Sequence, residues 1–338
     1  MIPNSAFITV GERKKTLDDV AAGIAPTAEY ATFLRDGHFS RVMAMVDEDV
    51  DVGATGAMVG FALRAYFATW KHENIYLGEE FPGIQYLAVH AVLRRPKRIA
   101  MMIHNVASMR RHLPLATLRL GRLVDHLLCI SEKSRQELLA RYGVPSSRIT
   151  VIGSRVDTGF FSPLPAAQVR RQVCSAGAVN RDYETLIEAA RPLDVPTKIA
   201  ADTAWRYSTG DAPVGPRPAF VEMRSWGSYL KLRGLYAESA VVVVPLKKAM
   251  LSGVTVALEA MAMGKPVILT HNAYVEEFLR DGENGFFVPA GDAGALRDKI
   301  AYLLDHPQEA ARIGERARNW VVERFSVDRF VQKILSVW

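Results

Sequence analysis

The residues best suited to do chemistry lie between positions 240 and 270, in the run AVVVVPLKKAMLSGVTVALEAMAMGKPVILT. Its valines, apolar on both faces, predict a buried parallel strand ending at Pro245. A loop carrying Ser252 and Gly253 follows, and a helix is predicted from about Val254 to Met263. Ligands of open α/β sheets bind at the carboxyl ends of strands. Glycine there lets backbone amides approach an anion, and the helix N-terminus adds the positive end of its dipole. Glu259 lies on that helix among Ala, Leu and Met, where an unpaired carboxylate is costly. It needs a partner, either a pair of ligand hydroxyls or an arginine elsewhere in the core, and the residues alone leave both open.

The elements that must hold this site recur along the whole chain. Strands are predicted at AFITV, VMAMV, IYL, IAMMI, HLLCI and ITVI, then at VCSAG, TKIAA, AFVE, AVVVV, PVIL and GFFV. Helical patterns such as TGAMVGFALRAYFATW, SEKSRQELLARY and RDYETLIEAAR lie between them. This alternation predicts an α/β fold of two doubly wound, Rossmann-like domains facing each other across a cleft. The two prolines of FFSPLPAA mark the boundary. Residues 1–165 form the expected N-terminal domain and 166–325 the C-terminal one, with 326–338 expected to return as a helix to the first.

Composition limits the alternatives. Of 338 residues, 49% are hydrophobic and 23% charged, which excludes a disordered or disulfide-scaffold chain. No apolar run is long enough to span a bilayer, and the start, MIPNSAFITVGERKK, lacks a secretory pattern. Cys129 and Cys174 both sit in apolar runs and read as buried thiols, so a cytoplasmic location is expected. The net charge is +6, compatible with an anionic ligand. From Arg94 to Arg122 there are eight basic residues, no acid and no aromatic residue. Without interleaved aromatics, nucleic-acid binding is not expected. The eight histidines include no i, i+4 pair and two cysteines cannot form a thiolate cluster, so no metal site is expected.

At LEAMAMGKPVILT, followed by VEEFLRDGENGFFVPAGDAGAL, the sequence resembles the C-terminal domain of glycosyltransferase family 4, retaining enzymes of the GT-B fold. VDHLLCISEKSRQELLARYGVPSSRITVIGSRVDTGFFSP is similar to the passage ending that family's first domain, and VCSAGAVNRDYETLIEAA to the strand, glycine loop and helix opening its second. The resemblance covers roughly residues 95–320. It implies transfer of a sugar from a nucleotide-diphosphate donor to an acceptor hydroxyl, with retained configuration and without a metal or other cofactor. It places Glu259 on the donor ribose, and the amides of Ser252, Gly253, Val254 and Thr255 at the diphosphate. Arg181, after the loop at Gly177, would neutralise that diphosphate, as a guanidinium fork suits phosphate oxygens. Val221 and Met223 are expected after a strand, flanking the base, and His104 at a strand end near the donor sugar.

The chain also departs from the family pattern. Leu251 stands where the first of two motif glutamates is expected, eight residues before Glu259, and Ala178 replaces a basic residue after Gly177. Lys247 or Lys248 is a candidate for the missing charge, against the reading of a solvated loop lysine. GERKKTLDDVAAGIAP occupies the place of a paired-glycine loop. Two other functions share the architecture, a sugar-nucleotide epimerase and a catalytically silent sugar-nucleotide-binding protein. An NAD(P) oxidoreductase is disfavoured. Gly53, Gly56 and Gly60 lack a preceding tight turn and a following acidic strand end, and read instead as small residues for close helix packing. The acceptor is unidentified. The basic stretch 94–122 is a peripheral membrane contact, a site for a soluble anionic acceptor, or an ordinary helix with solvated arginines.

Overall fold

The computed structural model describes residues 2–11, 14–45, 55–104, 120–142, 144–201 and 217–338. These form two compact units, each an α/β layer structure. Unit 1 comprises Met1–Ala21, Ala28–Gly153 and Asp328–Trp338, and unit 2 comprises Ala22–Thr27 and Ser154–Val327.

Unit 1 runs β1 (Ile2–Thr9), α1 (Lys14–Ala21), α2 (Glu29–Arg35), β2 (Phe39–Ala44), α3 (Thr55–Ala68), β3 (Asn74–Leu77), α4 (Glu80–Leu93), β4 (Arg98–Ile103), β5 (His126–Cys129), α5 (Glu132–Tyr142) and β6 (Ile149–Val151). The six strands are parallel, in the order β2-β1-β3-β4-β5-β6. Strands apolar on both faces require helices on both, and the run Ile99–Ile103 is buried throughout. Ser131 caps α5, its Oγ accepting from the Ser134 amide at 3.1 Å.

Unit 2 repeats the plan with β7 (Arg170–Ala176), α6 (Tyr183–Ala190), β8 (Thr197–Ala200), β9 (Val221–Arg224), α7 (Tyr229–Glu238), β10 (Ser239–Val244), α8 (Val254–Ala262), β11 (Val267–Thr270), β12 (Phe286–Val288), α9 (Ala293–Asp305) and α10 (Pro307–Arg324). Its sheet is parallel in the order β12-β11-β10-β7-β8-β9. Val241–Val244 of the central strand are buried, each fully buried valine contributing about 1.5–3 kcal/mol. The last helix, α11 (Val327–Leu335), brings the chain back to unit 1. There Lys333 donates to the Ile152 carbonyl at 3.0 Å, and Arg98 Nη2 to that of Val337 at 2.8 Å.

In both sheets the first strand has the second on one side and a later strand on the other. The resulting crevices, between β1 and β3 and between β7 and β10, are the topological switch points at which such sheets bind ligands. One expectation is corrected here. Gly56 and Gly60 are not small residues for tight helix packing. A Cβ on Gly56 would meet nothing within 4 Å, and one on Gly60 only the flexible end of Arg64, 3.4 Å away. Gly53 and residues 105–119 of the basic stretch lie outside the described residues.

Candidate functional site

The loops after β7 and β10 meet at the switch point of unit 2 and are stitched together. The Lys247 amide donates to the Asn180 carbonyl at 3.1 Å, the Lys248 amide to Asn180 Oδ1 at 3.0 Å, and Asn180 Nδ2 to the Lys248 carbonyl at 2.9 Å. Asn180 itself adopts a left-handed conformation, φ 59°. The Lys247 and Lys248 side chains are exposed. Beneath them the Leu246 amide donates to Thr270 Oγ1 at 3.0 Å, which ties the loop to the end of β11.

Arg181 fills the crevice. Its guanidinium is buried, with Nε donating to the Ala176 carbonyl at 2.9 Å and Nη1 to the Val179 carbonyl at 2.7 Å and to Ser252 Oγ at 3.1 Å. Gly177 makes room for it. At φ 96° a Cβ there would stand 2.5 Å from Arg181 Nη2, so a side chain would displace the guanidinium. The Tyr183 hydroxyl donates to the Gly177 carbonyl and holds the turn. Burial lowers the Arg181 pKa, while Tyr183, Tyr236 and Glu259 favour its charged form. Gly253, φ 79°, is the N-cap of α8, and a Cβ on it would stand 2.7 Å from Val244 Cγ1, so a side chain there would force a shift. The Val254 and Thr255 amides in the first turn of α8 are among those a helix leaves without an internal partner.

Glu259 lies further along the same helix, only 6% exposed. The Tyr236 phenol from α7 donates to its Oε2 at 3.0 Å. Burial pushes the Glu259 carboxyl up to about 7, opposed by the Tyr236 hydrogen bond and by the Arg181 charge. Its protein partner is thus a tyrosine, and Arg181 acts on it through space. Tyr236 was not foreseen, because a tyrosine before a valine run carries no motif.

Val221 and Met223 fall within β9, not after it, which corrects the expectation. β9 is an edge strand, and its alternation turns both side chains onto the hydrophobic core of unit 2.

His104 belongs to unit 1, just beyond β4. Its amide donates to Glu80 Oε1 at 2.8 Å, and its ring Nε2 lies 3.2 Å from the Gly78 carbonyl. Beside it, Glu79 accepts from Thr9 Oγ1 at 2.8 Å and from the Val10 amide at 2.7 Å, joining the loops after β1 and β3. Burial raises the Glu79 pKa, opposed first by the Val10 amide. Two carboxylates directly after a strand, in LGEEF, were a readable signal of this cluster. Among the described residues no group of three or more His, Cys, Asp or Glu side chains could hold a metal ion.

Two parallel doubly wound sheets, each with polar side chains gathered at its switch point, define the GT-B architecture. A glycosyltransferase from Rickettsia africae superposes with a TM-score of 0.72 at 16% identity, over 98% of this chain and 97% of that one. HepE from Anabaena, solved in complex with UDP, superposes at 0.71 and 15% identity over 98% of each chain. Residues 59–160 match the model for Glycosyltransferase Family 4, and residues 221–320 that for Glycosyl transferases group 1. The chain is thus similar to glycosyltransferases in both of its halves, and to family 4 in the first. A similar curated protein is the MMP alpha-(1->4)-mannosyltransferase of Mycolicibacterium hassiacum, 26% identical over 234 residues. That alignment covers 65% of this chain but only 55% of the relative.

Proposed function

We propose that this protein is a retaining, metal-independent glycosyltransferase that moves a hexosyl group from a nucleotide-diphosphate-sugar donor to an acceptor hydroxyl. The observation that carries this reading is Arg181 at the switch point of unit 2, buried over Gly177 and bonded to Ser252 at the head of α8. A desolvated guanidinium beside a helix N-terminus is a receptor for a polyanion. Glu259 on the same helix, with Oε2 taken by Tyr236 and Oε1 bonded to no other side chain among the described residues, suits a ribose diol. The mannosyltransferase relative and the UDP held by HepE support a sugar-nucleotide donor.

In this mechanism Arg181 and the first amides of α8 stabilise the charge that builds on the departing diphosphate. A diphosphate oxygen takes the acceptor proton as the new glycosidic bond forms, so no separate base is needed. His104 hydrogen-bonds near the donor sugar, and Lys247 or Lys248 adds positive charge at the loop. The test is a binding and turnover screen with UDP-, GDP-, TDP- and ADP-sugars, followed by NMR of the product's anomeric configuration. Binding of one donor class with transfer and retained configuration supports the proposal. Interconversion of the donor without an acceptor would instead assign an epimerase.

A further inference from the structure

The surface of unit 1 carries an apolar face that the catalytic reading does not use. On α3, Val59, Leu63 and Phe67 recur every four residues and are 42%, 42% and 58% exposed. That spacing stacks them on one side of the helix, whereas Phe61, Ala62, Ala65 and Tyr66 are buried on the other. Gly56 and Gly60 share the open side, which keeps it shallow. Phe67 stacks on Trp70 with ring centres 5.9 Å apart, and the Arg95 guanidinium lies 4.5 Å over the Trp70 ring. Arg95 follows the last turn of α4, where Val92 is 81% exposed. Exposed large apolar side chains at regular spacing are unusual on a protein surface and mark a docking face.

Charge decides what docks there. Arg64, Lys71, Arg94 and Arg95 are all exposed around these residues. The sequence has no acidic residue from Val52 to His72, nor from Phe81 to Val124. A second copy of the chain would bring these cations against their own images, which is unfavourable in a self-complementary interface. An anionic bilayer supplies the opposite charge and an apolar interior, and Trp and Arg favour the boundary between the two. We infer that the exposed face of α3, with the end of α4, docks the protein peripherally on an anionic lipid surface. Apolar residues enter the acyl boundary while the cations meet headgroups. The inference is independent of the donor reading.

The test is co-sedimentation of the full chain with vesicles of phosphatidylcholine alone, or containing phosphatidylglycerol, at low and physiological salt. Leu63→Gln with Phe67→Ser tests insertion, and Arg94→Glu with Arg95→Glu tests charge. All four positions are exposed, so melting temperatures should stay near that of the unmodified protein. Each basic residue near an anionic surface changes partitioning by about fivefold, so the arginine pair should lose at least about 25-fold. The apolar pair should lose binding while glycosyl transfer to a soluble acceptor persists. No binding to phosphatidylglycerol vesicles at low salt would overturn the proposal, as would variants binding like the unmodified chain. So would a concentration-dependent dimer abolished by Leu63→Gln with Phe67→Ser.

Discussion

At the proposed donor site, removing one hydroxyl, by Tyr236→Phe, should move the pH at which a nucleotide is taken up. Glu259 sits at about 7 because burial raises it, while the Tyr236 phenol at 3.0 Å and the Arg181 charge hold it down. A hydrogen bond to a charged group contributes about 1.5–3 kcal/mol, and one pKa unit corresponds to about 1.4 kcal/mol. Loss of the phenol should therefore lift the carboxyl by roughly one to two units, to roughly 8–9. The ionised carboxylate accepts from both hydroxyls of a ribose diol, whereas the protonated acid is a poorer double acceptor. Affinity for UDP or GDP should thus rise through about pH 7 in the unmodified protein and about one to two units higher in Tyr236→Phe. Calorimetric titrations from pH 6 to 9.5 would measure both midpoints, with Glu259→Gln as a weak binder whose profile is flat. Equal midpoints in the two proteins, with the variant folded, would refute the argument. Stability must follow the same linkage. Between the ordinary glutamate value of 4.5 and about 7, the native state keeps a proton that the unfolded chain has released. This group's contribution is then full below about 4.5 and is lost as pH rises to about 7, a change of about 3 kcal/mol.

In the proposed mechanism the guanidinium acts where diphosphate charge develops, so Arg181→Ala should lower turnover more than it weakens nucleoside monophosphate binding. Equal losses for mono- and diphosphate ligands in calorimetry would give it a structural role. Gly177→Ala forces a side chain into φ 96° and against Arg181 Nη2, so melting should show a loss of about 1–3 kcal/mol and diphosphate affinity should fall with it. An unchanged melting temperature would show that the turn relaxes freely. His104→Ala should reduce transfer while nucleotide affinity stays near that of the unmodified protein. A large drop in melting temperature without a kinetic defect would assign His104 to the fold of unit 1.

Among the described residues most strands coincide with short apolar runs in the sequence, because parallel strands buried on both faces are rich in Val, Ile, Leu and Met, whereas the edge strand β9, Val-Glu-Met-Arg, alternates instead. Helices were harder to read where tertiary packing overrides local pattern. Lys14–Ala21 is helical although its charged residues mask the apolar spacing of Leu17, Val20 and Ala21. Gly56 and Gly60 invited a packing explanation that the open space around them rejects, since spacing along a helix does not say which side faces a neighbour.

The candidate site divides along the same line. Gly253 and the head of α8 were legible because a strand, a loop with glycine and a helix are consecutive in the chain. Glu259 was legible as an isolated carboxylate in an apolar helix, but its partner was not. Tyr236 precedes it by 23 residues on a different helix, and only packing of α7 near α8 joins them. Sequence spacing likewise could not show that Gly177 and Arg181, four residues apart, act as one device in which an absent side chain makes room for a buried cation. The same holds in unit 1, where Thr9 and Glu79 meet across the β1–β3 crevice from 70 residues apart. Consecutive elements reveal where a doubly wound sheet can bind. Which side chains are desolvated, and hence which carboxylate or guanidinium is tuned for a ligand, is decided by contacts between segments distant in the chain.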